Sequence, residues 1–190
     1  IVLRSCWNYH LHPERFLRWL SSLPESKLFN PLRVVKWNLH KSYLQDLQKR
    51  GAAIPDTLWI PKGTSINISN LLKESGWERA VAKPAISATA HQTFNISISD
   101  ARNWQPQLEA FLSKSDYLLQ AFQPEIQEQG EWSLLFFDKQ FSHAVLKKPR
   151  PNDFRVQNDF GGTTAADTPP PFVIDKAKEI LSWVPEPLLY

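Results

Sequence analysis

The chain has 190 residues, of which 42% are apolar and 22% are charged, and its formal net charge is +3. This composition is typical of a globular protein, and the positive charge is too small and too evenly spread to require a nucleic-acid partner. No apolar run approaches the roughly 20 residues that a membrane-spanning helix needs. The single cysteine, Cys6, excludes an internal disulfide and a cysteine-rich metal site, and it fits a reducing compartment. We therefore expect a cytoplasmic protein without a nucleic-acid or membrane partner.

The amino-terminal part of the sequence alternates apolar periodicity with turn residues. Asn38 is positioned to cap a helix, and Gly51 and Gly76 are positioned to end two helices. These signals predict, in chain order, a strand at 1–4, a helix at 13–23, an extended segment at 34–37, a helix at 40–50, a strand at Thr57–Ile60 and a helix at 65–75.

The second half of the sequence has a different residue pattern, with more strand signals and a run of small residues at 85–90. It predicts strands at 79–84, 93–97 and 117–122, a helix at 100–113 weakened by Pro106, a hairpin of strands at 131–137 and 140–147, a long loop at 149–171 and a last helix at 172–183. The sequence contains no Met, starts in a strand-like segment and ends at 188–190, where we expect another strand to begin. We therefore expect an internal piece of a longer protein.

Cationic side chains cluster around the end of the predicted hairpin. Lys147, Lys148, Arg150 and Arg155 fall within nine positions, and a glycine pair follows in the same loop. Another predicted strand ends in Lys83. Cations on strand ends and on the following loop are what a bound polyphosphate needs, so this pattern suggests a nucleotide site. The alternatives are solvated lysines and a local salt bridge within Asp153–Arg155.

The order of these elements resembles the ATP-grasp superfamily, closest to the branch of bacterial glutathione synthetase and the ribosomal-protein glutamate ligases. The segments that carry the resemblance are Asn-Leu-His-Lys at 38–41 with Gly-Ala-Ala-Ile-Pro at 51–55, Val-Ala-Lys-Pro at 81–84, Gln-Ala-Phe at 120–122, Gly-Glu at 130–131, and Asp-Phe-Arg at 153–155 followed by Gly-Gly at 161–162. The resemblance implies an α+β ATP-grasp fold, truncated at both ends. It also implies three segments: the end of a preceding domain at 1–75, a small ATP-grasp subdomain at 76–124 and the start of the large subdomain at 125–190.

The resemblance also implies roles for individual residues. Lys83 would contact the nucleotide phosphates, and Arg155 would be the catalytic residue that reaches the γ-phosphate or an acyl phosphate. The remaining nucleotide-binding positions would be Gln120, Ala121 and Phe122 at the adenine, Glu131 and Lys147 on the hairpin, and Gly161 and Gly162 in the loop. Magnesium ligands would lie after Tyr190.

The implied function is ATP-dependent ligation of a small-molecule carboxylate to an amine or a thiol through an acyl phosphate, with Mg²⁺. The sequence departs from the pattern of these relatives at two places. The loop at 85–90 has no glycine, and Gln157 stands where relatives often carry an Asn two residues after the loop arginine. The glycine-free loop favours the alternative of a non-catalytic nucleotide-binding or interaction module with the same fold. The other alternative is an α+β module that binds no nucleotide.

Overall fold

The computed structural model describes residues 1–189. These residues form α-helices at Pro13–Ser21 (α1), Leu32–Leu39 (α2), Tyr43–Lys49 (α3), Ile68–Glu74 (α4), Ala101–Leu112 (α5), Glu125–Glu128 (α6) and Pro171–Ser182 (α7). The strands are Thr57–Ile60 (β1), Arg79–Pro84 (β2), Phe94–Ser97 (β3), Tyr117–Ala121 (β4), Glu131–Phe137 (β5), Gln140–Lys148 (β6) and Thr163–Ala166 (β7). Helices and antiparallel sheets are thus combined, which confirms the α+β prediction.

The chain divides into two compact units. One unit, Ala53–Pro124, is inserted between the two segments of the other, and we call it the inserted unit. The second unit consists of Ile1–Ala52 and Glu125–Tyr190, and we call it the split unit.

The inserted unit is a four-stranded antiparallel sheet with the strand order β1-β4-β2-β3. Burial alternates along β2, where Ala80, Ala82 and Pro84 are buried and the residues between them are half-buried. Because successive side chains of a strand point to opposite faces, this alternation gives the sheet two distinct faces. One face, through Ala80 and Ala82, joins the apolar core with Leu72 of α4 and Leu108 of α5.

Local signals fix the helices of this core. The side chain of Asn67 caps α4, because its Oδ1 accepts a hydrogen bond from the Asn70 N–H at 2.9 Å. Phe94 and Phe111 stack with their ring centroids 5.5 Å apart, and Phe111 stacks in turn on Tyr117. These aromatic contacts hold α5 against β3 and β4.

The split unit contains a three-stranded antiparallel sheet in the order β5-β6-β7. The hairpin between β5 and β6 turns at Asp138 and Lys139, which have φ values of 48° and 60°. Two left-handed residues in a two-residue loop are the mark of a type I′ turn, which matches the twist of the strands on either side. The predicted hairpin is therefore confirmed.

The prediction of an extended segment at 34–37 is wrong, because these residues lie in α2. Pro31, at φ −53°, presets the first turn, and its carbonyl accepts hydrogen bonds from the N–H groups of Val34 and Val35. Asn38 lies inside the same helix, so it is not the predicted cap, and the next helix begins only at Tyr43. The extended preference of two adjacent valines is a weak signal that local context overrides.

Two further predictions need correction. Residues 1–4 do not form a strand and contribute only an isolated bridge between Val2 and Phe29. The predicted loop at 149–171 contains a short 3₁₀ turn and the strand β7, which pairs with β6 along Lys148↔Thr163 to Val145↔Ala166. The strand predicted to start at 188–190 is not seen at 188 and 189, and Tyr190 lies outside the described residues.

Candidate functional site

Lys83 and Gln120 lie on the same face of the inserted unit's sheet, opposite the face that packs on α4 and α5. In the register of β2 and β4, Val81 faces Gln120 and Lys83 faces Leu118. Directly paired residues share a face, so the Lys83 and Gln120 side chains project from neighbouring rows of this face. Ala121 pairs with Ala80 and therefore belongs to the opposite, helix-covered face.

Gln120 is a buried polar residue, with 6% of its surface exposed. Its Nε2 donates to the Thr57 hydroxyl at 2.8 Å, and that hydroxyl donates to the Pro55 carbonyl at 2.6 Å. Because the Thr57 hydroxyl donates its one proton to Pro55, it can only accept a hydrogen bond from Gln120, and this fixes which end of the Gln120 amide faces Thr57. The orientation leaves the carbonyl oxygen of Gln120 as the end of the amide that can accept from a ligand.

Phe122 follows β4 on the same face and is held by Arg79. The Phe122 N–H donates to the Arg79 carbonyl at 3.2 Å, and the Arg79 guanidinium lies 3.8 Å from the centroid of the Phe122 ring. This cation–π contact orients the ring. Of the three residues predicted at the adenine, Gln120 and Phe122 therefore share a face, whereas Ala121 contributes only its backbone there.

Glu131 and Lys147 are brought together in the split unit, as directly opposed residues of β5 and β6. Lys147 Nζ lies 3.9 Å from Glu131 Oε1, and the two side chains are 33% and 44% exposed. An exposed ion pair at this distance contributes little to stability. Either group can therefore turn to a ligand at small cost.

Arg155 makes a bidentate ion pair with Asp153. Its Nε lies 3.0 Å from Asp153 Oδ1, and its Nη2 lies 2.9 Å from Asp153 Oδ2. The hydrogen bond from Arg155 is the largest cause that holds the pKa of Asp153 well below its usual range, and the same bond raises the pKa of Arg155. Both groups are therefore charged at neutral pH.

Sequence reasoning treated Asp153 only as a possible salt-bridge partner and missed Phe160. The guanidinium of Arg155 lies 3.7 Å from the centroid of the Phe160 ring. Phe160 belongs to the 3₁₀ turn Asn158–Phe160, five positions after the arginine. No sequence signal marks this stacking partner, because the turn that brings it back is set by backbone hydrogen bonds.

The glycine pair has a structural role in this loop. Gly161 ends the 3₁₀ turn at φ 80°, a left-handed conformation that favours glycine. A Cβ on Gly162 would lie 2.2 Å from the Val156 carbonyl oxygen, so only glycine fits there. Contact with nucleotide by either residue stays a prediction.

Two buried side-chain oxygens accept no hydrogen bond from any group in residues 1–189: Asn95 Oδ1 and Gln157 Oε1. Asn95 lies opposite Val81 and therefore in the same row of the sheet as Gln120. Asn158, which follows Gln157 in the split unit, is occupied, because its Oδ1 accepts from the Thr164 hydroxyl at 3.2 Å. Buried acceptors without donors are candidates for ligand contact.

The predicted residues therefore form two groups. Lys83, Gln120 and Phe122 share one sheet face in the inserted unit, and Glu131, Lys147 and Arg155 lie in the split unit. The convergence of Lys83 with Arg155 stays a prediction, because the two residues belong to different units. Residues 1–189 contain no group of three or more His, Cys, Asp or Glu side chains that could hold a metal ion. Within the same range, no helix has the length and apolar character needed to cross a bilayer.

Comparison with known proteins identifies the fold. No family model matches the sequence. The chain is 27% identical over 152 residues to the cycloserine biosynthesis protein DcsG of Streptomyces lavendulae, an alignment that covers 77% of this chain and 51% of DcsG. The crystal structure of D-cycloserine synthetase DcsG superposes with a TM-score of 0.86 at 23% identity, over 99% of this chain and 67% of that one.

Structures with lower similarity have the same fold. The ATP-grasp ligase PsnB in complex with a minimal precursor gives a TM-score of 0.60 at 18% identity, covering 98% of this chain and 62% of PsnB. D-alanine–D-alanine ligase from Bacillus anthracis gives 0.56 at 16% identity, covering 76% of this chain and 48% of the ligase. The chain has the ATP-grasp fold, which confirms the resemblance inferred from the sequence. It spans about half the length of the curated relative that it matches.

Proposed function

We propose that this chain is the ATP-binding part of a ligase that joins a carboxylate to an amine or a thiol through an acyl phosphate. The fold is shared with DcsG, PsnB and D-alanine–D-alanine ligase, two of which are named as ligases and one as a synthetase. The observation that carries the proposal is the common face of Lys83 and Gln120 in the inserted unit. It combines a cation with a buried amide whose carbonyl oxygen is left to accept a hydrogen bond.

ATP suits the chemistry of these residues. The carbonyl of Gln120 and the ring of Phe122 would hold the base by a hydrogen bond and by stacking. Lys83 and Arg155 would offset negative charge on the phosphates, which is the main contribution that a protein makes to phosphoryl transfer. Bound ATP would supply the phosphoryl group that activates the carboxylate. Glu131 and Lys147, as a weak exposed pair, would adjust to the bound nucleotide.

Magnesium is part of the same proposal, because Mg and ADP accompany PsnB in one of its structures. The described residues offer it no cluster of acidic side chains, so we assign it no ligand and no step.

We propose small-molecule substrates and a cytoplasmic location. The similarity to D-cycloserine synthetase, at a TM-score of 0.86, is greater than that to PsnB with its minimal precursor, at 0.60, and to the macrocyclase MdnC with its precursor peptide, at 0.54. The larger similarity favours a small carboxylate and a small amine over a peptide. The cytoplasm is the compartment that fits the single cysteine.

The test is nucleotide binding by the full-length protein that carries this sequence. With Mg²⁺ and the ATP analogue AMPPNP at a hundredfold excess over the dissociation constant, the folded state should gain about 2.7 kcal/mol. Lys83→Met should weaken binding about tenfold, as expected when one charge-assisted hydrogen bond is lost. Lys73→Met on the exposed surface of α4 removes the same charge from the same unit and should leave affinity unchanged. Equal affinities of the two variants would contradict the proposed role of Lys83.

A non-catalytic nucleotide-binding module remains the second candidate, and the small-residue loop favours it. Thr89, Ala90 and Gln92 have φ values of 51°, 54° and 50°, so this segment adopts left-handed conformations without any glycine. Such conformations are strained for residues with a Cβ, most of all for a β-branched threonine. ADP formation by the full-length protein in the presence of candidate carboxylates and amines supports the ligase, whereas tight AMPPNP binding without turnover across such a panel supports the module.

A further inference from the structure

The guanidinium of Arg155 is held along one edge and open along the other. The Nε edge is bound by Asp153, with Nε on Oδ1 at 3.0 Å and Nη2 on Oδ2 at 2.9 Å. Neither hydrogen bond uses the Nη1 group, and 27% of the Arg155 side chain is exposed. The open edge is a planar pair of N–H groups of the kind that binds phosphate or carboxylate in a bidentate manner.

Asp153 is itself fully engaged. Its Oδ1 also accepts from the N–H groups of Phe154 at 2.8 Å and Arg155 at 3.0 Å, and Arg150 Nε lies 3.5 Å from Oδ2. Only 5% of the Asp153 side chain is exposed. A carboxylate with this many internal donors and so little exposure has no capacity left for a ligand, so its contacts act on Arg155.

A second contact fixes the plane of the guanidinium. The Phe160 ring lies 3.7 Å from the guanidinium carbon, and the turn that carries Phe160 is held by backbone hydrogen bonds. Phe160 N–H donates to the Gln157 carbonyl at 3.0 Å, and Gly162 N–H donates to the same oxygen at 3.2 Å. The carboxylate therefore fixes the guanidinium within its plane, while the ring and its turn fix the plane itself.

We infer that Asp153 is a positioning residue, which with Phe160 pre-orients the open edge of Arg155 toward a terminal phosphate. This inference rests on the proposed function, since Arg155 must meet a nucleotide or acyl phosphate. Pre-orientation favours binding because the ordering of a long, flexible side chain is completed before the ligand arrives. Asp153 acts through Arg155 and does not contact the ligand.

The test compares AMPPNP with ADP, both with Mg²⁺, on the full-length protein by isothermal titration calorimetry. Asp153→Asn keeps an Oδ1 that accepts from the backbone N–H groups of Phe154 and Arg155, but it removes the charge that holds the guanidinium. Asp159→Asn, at an exposed position of the same loop, is the matched control for charge. Arg155→Ala and the double variant Asp153→Asn/Arg155→Ala complete a mutant cycle.

We expect Arg155→Ala to reduce the preference for AMPPNP over ADP about tenfold, as a lost charged hydrogen bond implies. Asp153→Asn should reduce the same preference by a similar factor while ADP affinity stays unchanged, and the double variant should match Arg155→Ala alone. Phe160→Leu should show a smaller loss of the same kind, and it provides a readout if Asp153→Asn does not fold.

Three results would overturn the inference while leaving the proposed function intact. Equal losses for both nucleotides would make Asp153 a purely structural residue. A stronger preference for AMPPNP in Asp153→Asn would mean that Asp153 competes with the ligand for Arg155. Additive effects in the double variant would mean that the two residues act independently. A wild-type protein that binds neither nucleotide would overturn the proposed function, and this inference with it.

Discussion

Replacing Gly162 by alanine should destabilise the split unit through a steric clash with the neighbouring backbone at Val156 and Gln157. Gly162 has no left-handed φ, so the substitution carries no conformational penalty of the kind that affects other glycines here. Its Cβ would instead lie 2.2 Å from the Val156 carbonyl oxygen, 2.6 Å from the carbonyl carbon and 3.0 Å from the Gln157 oxygen. All three atoms belong to the backbone, so no side chain can rotate away to make room.

The size of the effect follows from this geometry. Forcing an extra methyl group into packed backbone costs about 1–3 kcal/mol, and the upper end applies because the approach is below 3 Å to two atoms. For a chain of this length, about 2–3 kcal/mol corresponds to a fall of roughly 4–12 °C in melting temperature. The displaced backbone carries Val156, which is 3% exposed, so the shift also moves Arg155 next to it.

The assay is thermal and urea unfolding of Gly162→Ala beside Gly63→Ala. A Cβ on Gly63 meets nothing within 4 Å, but the residue has a φ of 79°. Gly63→Ala therefore reports the penalty of the left-handed conformation alone, about 1–2 kcal/mol. If Gly162→Ala is no more destabilising than Gly63→Ala, the proposed backbone contact does not exist in solution.

Three further predictions concern the loop and the ion pairs. Ala90→Gly should stabilise the protein by about 0.5–1 kcal/mol, because the relief of left-handed strain, about 1–2 kcal/mol, exceeds the cost of the greater entropy that glycine gives the unfolded chain. Urea unfolding checks this beside Ala88→Gly, because Ala88 has no left-handed φ. Equal effects of the two substitutions would refute the prediction. The hydrogen bond from Arg155 depresses the pKa of Asp153 below its ordinary 3.8, so the stabilisation that the ion pair gives the folded state is present above pH 3.8 and is lost as the pH falls below it. The free energy of unfolding of the wild type should therefore exceed that of Asp153→Asn at neutral pH, and this difference should shrink in acid. A difference that does not change with pH would contradict the ion pair. Lys147→Met should cost less than about 1 kcal/mol of stability, since its partner is distant and exposed, and a larger loss in chemical denaturation would show a structural role.

The strands of the inserted unit could be predicted because the pattern of apolar side chains along them follows their burial. Small apolar residues alternate along β2, and β4 begins with three residues, Tyr117, Leu118 and Leu119, that are all buried although they alternate between the two faces. β7 could not be predicted, because all of Thr163–Ala166 is exposed and no alternation marks it. Its pairing with β6 depends on backbone hydrogen bonds, which no side-chain pattern reports.

The glycine pair shows a similar limit at the candidate site. Adjacent glycines indicate that the backbone must turn tightly or approach something closely, but they do not identify what is approached. The resemblance seen in the sequence placed this pair among the nucleotide-binding positions. The structure gives Gly162 a protein neighbour, Val156, which accounts for the residue without any ligand. The nucleotide interpretation of this pair therefore needs evidence that the sequence cannot supply.

Arg155 shows why two readings of one residue need not compete. The sequence offered either a salt bridge with Asp153 or a contact with phosphate. The structure contains the salt bridge, but the carboxylate occupies only the Nε edge of the guanidinium. A flexible, solvated arginine would have to be ordered by its ligand, at a cost in side-chain entropy. An arginine already fixed by Asp153 and Phe160 has met that cost during folding. Under the proposed function, the salt bridge would therefore favour anion binding by the other edge.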